Sequence, residues 1–187
     1  MRQAQVLNER DKRRVLTALT RSAFPARNRA MFQLSWLAGM RVGEIAALNV
    51  EDVVGADGKV REVIQLAAAQ TKGNSSRAVL MNMQLQAEIA DYVRTLARTD
   101  ADPLFVSRVG KRFSANSLCQ LFGRLYNECG LDAATSHSGR RTFITDLAHK
   151  GVNVRVLAAL AGHASISTTQ RYIELNENVL RQAVELI

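Results

Sequence analysis

The hydrophobic pattern of this 187-residue chain changes its period between residues 50 and 82. On both sides of that segment, apolar residues recur at spacings of three and four, which is typical of amphipathic helices. Inside it, short β-branched runs alternate with turn sequences, first Asp57-Gly58 and then the run from Lys72 to Ser76, and this alternation predicts hairpins. We therefore expect a mainly α (α+β) fold, with a small three-stranded antiparallel sheet near residues 50–82.

Capping residues and glycines set the expected helix boundaries. Asn8 precedes an acidic first turn, Pro25 suits the start of a second helix, and Ser114 and Asn153 are N-cap types. The predicted helices span about residues 9–19, 25–48 with an interruption at 39–44, 84–97, 114–129, 138–151, 153–162, 168–172 and 176–187.

The charge balance favours a polyanionic partner. Twenty-five Lys and Arg against seventeen Asp and Glu give a net charge of +8 and a pI near 10.2, which in a folded domain points to nucleic acid. No stretch approaches the roughly 18 unbroken apolar residues of a membrane helix, and residues 1–5 lack the apolar core of a signal peptide. We expect a cytoplasmic, nucleoid-associated protein with no membrane partner.

Neither a metal nor another cofactor is expected. Cys119 and Cys129 have no metal-binding spacing and form no disulfide framework. No cluster of acidic residues suits Mg²⁺, and no His/Cys set suits Zn²⁺.

The stretch from Thr135 to Tyr172 contains the most suggestive chemistry. It holds all three histidines of the chain, of which His137 and His163 are the candidates, with Arg140 three residues after the first of these and Tyr172 at its end. Guanidinium groups match the two non-bridging oxygens of a phosphodiester, and a tyrosine hydroxyl activated by a neighbouring base can attack the phosphorus.

Two further residues extend this hypothetical site. Arg41 lies in a glycine-flanked turn at a helix start, and Lys72 lies in the second predicted hairpin turn. His137 is a candidate base for the Tyr172 proton, and Lys72 is a candidate acid for the departing 5′ oxygen of DNA.

These residues together resemble a known family. Gly39-x-Arg41-x-x-Glu44-Ile45, Lys72 in a hairpin, His137-x-x-Arg140, Gly162-His163 and Tyr172 resemble, in order and spacing, the tyrosine recombinases or phage integrases. The resemblance covers nearly the whole chain. It implies a mostly helical catalytic domain with a three-stranded sheet, which cleaves and rejoins DNA through a 3′-phosphotyrosyl intermediate without a cofactor.

The resemblance also implies roles for individual residues. Tyr172 would be the nucleophile, Glu44 would support the first arginine, and the phosphate would be activated by Arg41, Lys72, His137, Arg140 and His163. Two positions depart from the common pattern, since Arg141 replaces a frequent second histidine and Ala161 replaces a frequent leucine.

The same resemblance implies an organisation and partners. Residues 1–187 would form a single catalytic domain with the N-terminal core-binding domain absent, as in a short catalytic-domain-only member or a truncated gene product. Its partners would be double-stranded DNA and other protomers in a tetrameric synapse, where the helix at 176–187 would dock in trans. The simpler interpretation of that helix is intramolecular core.

Other functions remain open at this point. A type IB-like topoisomerase shares the chemistry, and a DNA-binding regulator that has lost catalysis shares the charge. Taken singly, Arg41 suits a surface turn, Lys72 a solvated turn, His137 a helix cap, His163 a helix C-cap and Tyr172 a half-buried core position.

Overall fold

The computed structural model describes residues 4–71, 73–96, 102–172, 181 and 184–185. Most of these residues are helical, as expected. The elements are α1 (Glu9–Thr20), α2 (Pro25–Leu37), α3 (Val42–Ala47), α4 (Val50–Val53), β1 (Val63–Leu66), a 3₁₀ turn (Ala68–Gln70), β2 (Arg77–Leu80), α5 (Met83–Val93), α6 (Ala115–Glu128), α7 (Ser138–His149), α8 (Val154–Ala161) and α9 (Ile166–Gln170).

The predicted caps are confirmed where the side chains can be followed. Asn8 and Asp11 form a capping box at α1, and the Ser114 hydroxyl accepts a hydrogen bond from the Ser117 N–H at α6. Asn153 caps α8 through the Arg155 N–H. These local contacts satisfy donors that the first turn of a helix leaves free. Most of the predicted C-terminal helix, residues 176–187, lies outside the described residues.

The expected small antiparallel sheet is present, but its third strand is not confirmed, because the sheet formed by the described residues has two strands. β1 and β2 pair antiparallel, with Val63 opposite Leu80. The expected first strand is replaced by the helical turn α4 and a single bridge between Val54 and Val60. The cause is local, because the Asn49 N–H donates to Asp52 Oδ2 at 2.7 Å and starts a helical turn.

Helix α2 forms the centre of the molecule. Nine of its thirteen residues are buried, from Arg27 to Trp36, and it packs against α1, α3, α5 and α7. The Phe32 ring stacks on Phe122 of α6 at 4.1 Å between centroids, with Tyr126 edge-on to it at 5.2 Å. Helix α2 is therefore buried on most sides.

Two glycines let α2 and the residues after it approach α7. A Cβ on Gly139 would lie 2.2 Å from Ser35 Oγ, and a Cβ on Gly39 would lie 2.5 Å from the Phe143 ring. Because α7 approaches so closely, its side chains at the first turn reach the end of α2.

No helix among the described residues is long and apolar enough to cross a membrane.

Candidate active site

Arg41 is held in place by the start of α3. The left-handed backbone of Gly39 (φ +63°) ends the path of α2, and Arg41 becomes the N-cap residue of the next helix. Its backbone N–H donates to Glu44 Oε2 at 2.9 Å, and its Nη1 donates to Glu44 Oε1 at 2.8 Å. Glu44, which the sequence suggested as a support for Arg41, binds that arginine through both backbone and side chain.

Arg77 at the start of β2 joins the same carboxylate. Its Nη2 donates to Glu44 Oε2 at 2.7 Å, its Nε donates to Oε1 at 3.2 Å, and its Nη1 donates to the Leu160 carbonyl at 3.1 Å. Sequence reasoning gave Arg77 no part in the site. The available signal was a long basic side chain on a short strand, five residues after Lys72.

Arg140 lies deepest of the arginines at the site. It is 5% exposed, and it reaches from the first turn of α7 between the ends of two other helices. Its Nη1 donates to the Gly39 carbonyl at 2.6 Å, and its Nη2 donates to the Ala161 carbonyl at 2.5 Å. These two bonds fix the guanidinium plane, so Arg140 is preorganised.

The C-terminus of α8 gathers the three arginines. The last carbonyls of a helix have no partner within the helix, and they carry the negative end of its dipole. Three successive carbonyls at this end each accept a hydrogen bond from a different arginine: Leu160 from Arg77, Ala161 from Arg140, and Gly162 from Arg41 at 3.5 Å. The helix end therefore holds like charges close together.

The cluster is strongly positive. The guanidinium groups of Arg41 and Arg77 pair with Glu44, which is 1% exposed, and Arg140 adds a third positive charge nearby. Burial raises the pKa of Glu44, but hydrogen bonds and charges from Arg77 and Arg41 outweigh burial, so its pKa is lowered. Burial, then Arg41 and Arg77, lowers the pKa of Arg140 to about 9. Arginine side chains carry a positive charge at neutral pH, so the cluster favours an anionic group such as a phosphodiester.

His163 and Tyr172 come together through a tight turn after α8. Gly162 caps that helix in the left-handed conformation (φ +61°), and the chain then reverses into α9. His163 Nδ1 lies 2.9 Å from the hydroxyl oxygen of buried Thr169. The His163 and Tyr172 rings lie 6.0 Å apart, with 17° between their planes. The proposed nucleophile is thus beside an imidazole.

His163 is neutral at physiological pH. Burial, followed by the positive charges of Arg140, Arg41 and Arg77, lowers its pKa to about 4. A neutral imidazole donates one hydrogen bond and does not add to the repulsion among the arginines. His163 is therefore suited to donate to a phosphate oxygen rather than to pair with it as a cation.

One cavity connects most of the residues that the sequence singled out. It has a volume of about 550 Å³, and its lining includes Arg41, His137, Arg140, His163 and Tyr172. His137 lies exposed at the N-terminus of α7, with its backbone N–H donating to Thr135 Oγ1 at 3.2 Å. Five of the six predicted catalytic side chains therefore face one space.

Lys72, the sixth, lies outside the described residues. Its neighbours Thr71 and Gly73 line a second cavity of about 640 Å³, which shares Arg41 and His163 with the first and also includes Arg77. The described residues on either side of Lys72 therefore border the arginine cluster.

Arg141, next to the buried Arg140, also lines the first cavity. Its Nη1 donates to the Ala4 carbonyl at 2.8 Å, and its Cζ lies 6.0 Å from the centre of the Tyr172 ring. Sequence reasoning treated this position only as a departure from a common pattern. The structure places it between the N-terminal segment and the proposed nucleophile.

The described part of the chain contains no group of three or more His, Cys, Asp or Glu side chains arranged to hold a metal ion. The side chains that converge here are cationic or neutral donors, with one tyrosine hydroxyl. This is the donor set expected for binding a phosphodiester and stabilising charge on its oxygens.

Comparison with known proteins agrees with this geometry. The model of the phage integrase family matches residues 5–178. The tyrosine recombinase XerA of Pyrococcus horikoshii is 32% identical over 163 residues, which cover 85% of this chain and 54% of that protein. The tyrosine recombinase XerC of Syntrophus aciditrophicus is 29% identical over 167 residues, covering 84% and 52%. The chain thus spans about half the length of these relatives.

Solved structures give the same fold. The crystal structure of a XerA recombinase superimposes with a TM-score of 0.78 at 28% identity, covering 100% of this chain and 66% of the other. The catalytic domain of bacteriophage HP1 integrase has a TM-score of 0.68 and covers 98% of this chain and 95% of its own. At 22% identity, that second likeness shows the fold alone. With a family match over nearly its full length, this chain belongs to the phage integrase family.

Proposed function

We propose that this chain is the catalytic domain of a site-specific tyrosine recombinase that cleaves and rejoins double-stranded DNA. The observation that carries the proposal is the convergence of Arg41, Arg140, His163 and Tyr172 on one cavity. A net positive cluster beside a tyrosine hydroxyl suits attack on a phosphodiester. The kinship with proteins named tyrosine recombinases supports the same activity.

The proposed reaction exchanges one phosphoester bond for another. The Tyr172 oxygen attacks the phosphorus, its bond to phosphorus forms, and the bond to the 5′ oxygen of the next nucleotide breaks. The Tyr172 proton passes to His137, and the departing 5′ oxygen receives a proton from Lys72. Arg41, Arg140 and His163 donate to the non-bridging oxygens, where negative charge increases in the transition state.

The products retain the energy of the broken bond. Because the 3′-phosphotyrosyl ester replaces one phosphodiester bond, a free 5′ hydroxyl can attack it and rejoin DNA by the reverse step. Neither ATP nor a metal enters this scheme. Rejoining to the original strand restores the DNA, and rejoining to a partner strand recombines it.

The partners follow from the proposed reaction. Residues 1–187 would act as one catalytic unit on double-stranded DNA, within an assembly of several protomers where two sites are exchanged. The segment at 176–187 is proposed to contact a neighbouring protomer. Deleting it should abolish assembly on DNA while leaving cleavage by single protomers, and unchanged assembly would contradict this role.

The decisive experiment is trapping of the covalent intermediate. The protein is incubated with a pool of DNA duplexes that have randomised arms and a nick just beyond each potential cleavage point. After cleavage, the short product strand diffuses away and the covalent intermediate is trapped. We expect a protein–DNA adduct that resists denaturant and disappears in Tyr172→Phe. The matched control is Tyr126→Phe, which removes a buried hydroxyl that makes no hydrogen bond.

The outcomes separate the possible functions. An adduct that persists in Tyr172→Phe refutes the nucleophile. Binding without any adduct in the wild-type protein indicates a DNA-binding regulator. Adducts without exchange between two sites, accompanied by relaxation of supercoiled DNA, indicate a topoisomerase-like activity.

A further inference from the structure

We propose that Arg77 is a positioning residue for DNA cleavage, which acts through Glu44 to keep the Arg41 guanidinium available to the phosphate. This inference rests on the proposed function. It adds a residue outside the pattern from which the sequence-based site was built, and it assigns that residue an indirect role.

The contacts of Arg77 are directed into the protein. Three of its five N–H groups are used, two on the two oxygens of Glu44 and one on the Leu160 carbonyl. Its side chain is 10% exposed, against 27% for the Arg41 side chain. Arg77 therefore lies deeper beside the carboxylate than Arg41, and of these two arginines only Arg41 lines the cavity that contains Tyr172.

Each oxygen of Glu44 is shared between the two arginines. Oε1 accepts from Arg41 Nη1 and Arg77 Nε, and Oε2 accepts from the Arg41 backbone N–H and Arg77 Nη2. Glu44 is almost fully buried, so its charge requires a nearby cation. Arg77 supplies that cation, so the positive charge of Arg41 remains available for a substrate.

Loss of Arg77 changes what Arg41 must do. The buried carboxylate would then depend on Arg41 for compensation, and the net positive charge of the cluster would fall by one. Arg41 would become the internal partner of Glu44 rather than a donor to phosphate. The Leu160 carbonyl would also lose its donor, which loosens the end of α8 that holds Arg140 and His163.

The alternative role for Arg77 is a direct contact with DNA. Arg77 also lines the cavity that contains Thr71, Ser75 and Ser165, so its two remaining N–H groups are available for direct contact with DNA. The two roles differ in one measurable respect. An effect transmitted through Glu44 vanishes when Glu44 carries no charge, whereas a direct contact with DNA does not.

The test is a double-mutant cycle on single-turnover cleavage of the nicked DNA, using wild type, Arg77→Gln, Glu44→Gln and the double variant. We expect Arg77→Gln to reduce the rate at saturating DNA by about 10- to 100-fold, with less than about a threefold change in the DNA concentration for half-maximal rate. In the Glu44→Gln background, the same substitution should change the rate by less than about threefold.

Other results overturn the inference. If the Arg77→Gln effect is equally large in both backgrounds, Arg77 acts independently of Glu44, through the Leu160 carbonyl or through DNA itself. If the effect falls mainly on the DNA concentration needed, Arg77 contacts DNA directly. If the rate is unchanged, Arg77 has no role in cleavage.

A folding defect is controlled by thermal unfolding of every variant. If Arg77→Gln does not fold, the cycle is run with Arg77→Lys, which retains a cation beside Glu44 and should show a smaller, still Glu44-dependent loss. The proposed function fails separately, since it predicts a wild-type adduct. If the wild-type protein forms an adduct but the Arg77 and Glu44 substitutions reduce the rate independently of each other, only the inference about Arg77 is lost.

Discussion

The ring of Tyr172 lies 6.0 Å from the ring of His163, with the two planes 17° apart. The nucleophile of the proposed reaction therefore lies against an imidazole that burial and three arginines keep neutral. In the proposed reaction, the arginines would supply positive charge and His163 would supply a directed hydrogen bond.

The lowered pKa of His163 predicts acid destabilisation. An unfolded histidine titrates near 6.5 and folded His163 near 4, so the unfolded chain binds the proton first as pH falls through this window. Stability is retained above about pH 6.5 and declines towards pH 4. Between pH 7 and pH 5, the free energy of unfolding should fall by about 1 kcal/mol less in His163→Gln than in wild type, after allowing for solvent screening.

Urea unfolding at the two pH values measures this difference. Protonation of carboxylates such as Glu44 also lowers the stability of the protein in acid. This effect is present in both proteins and cancels in the comparison. Equal losses for wild type and His163→Gln would show that His163 titrates normally in the folded chain.

Arg140 should be irreplaceable by lysine. The guanidinium bridges the carbonyls of Gly39 and Ala161 while facing the cavity, and a single ammonium cannot reproduce that fork. We expect Arg140→Lys to slow single-turnover cleavage by about 10²- to 10³-fold. Arg13→Lys, at an exposed position on α1, is the matched control and should cleave at the wild-type rate. A small effect at Arg140 would exclude it from the phosphate site.

Two left-handed glycines provide a paired test of the turn after α8. Gly151 (φ +78°) and Gly162 (φ +61°) both follow helices, and alanine at either position should cost about 1–2 kcal/mol in backbone strain. Only at Gly162 would the new Cβ meet a neighbour, at 2.5 Å from Arg77 Cδ. We therefore expect Gly162→Ala to reduce cleavage as well as stability, and Gly151→Ala to reduce stability alone.

Cleavage rates measured well below each variant's melting temperature separate the two effects. Equal cleavage by the two alanine variants would mean that Arg77 moves aside without consequence, which would also weaken the case for its positioning role.

Local sequence signals predicted the helices well because their causes are local. Asn8, Ser114 and Asn153 cap helices through bonds to residues two or three positions away, and such contacts can be inferred from spacing. The prediction of the first strand was wrong, and here too the cause is a local contact. A capping interaction between Asn49 and Asp52 favours a helical turn, and the adjacent β-branched residues had suggested a strand.

The site was predictable only in part. The pattern that resembles recombinases identified Arg41, Arg140, His163 and Tyr172, and the structure brings them to one cavity. Arg77 was missed because its partners lie 33 and 83 positions away, at Glu44 and Leu160. Contacts at that separation depend on how β2 and α8 pack, which residue spacing does not reveal.

The crossing of α2 and α7 yields the last prediction. A Cβ on Gly139 would lie 2.2 Å from Ser35 Oγ and 2.8 Å from Ser35 Cβ, and Ser35 is fully buried. We expect Gly139→Ala to lower the free energy of unfolding by about 1–3 kcal/mol, because the two helices must move apart. Cleavage should fall too, since Arg140 follows Gly139 and depends on the same crossing.

Substitutions at Ser35 test the cause directly. Ser35→Ala alone should be nearly neutral, because its hydroxyl oxygen makes no hydrogen bond in this structure. Combined with Gly139→Ala, it removes the 2.2 Å contact but leaves the Cβ at 2.8 Å, so stability should recover only partly. Ser35→Gly removes both atoms and should relieve more of the clash, offset by about 1 kcal/mol of helix propensity. Additive effects across this series would show that the helices are not in close contact at Gly139.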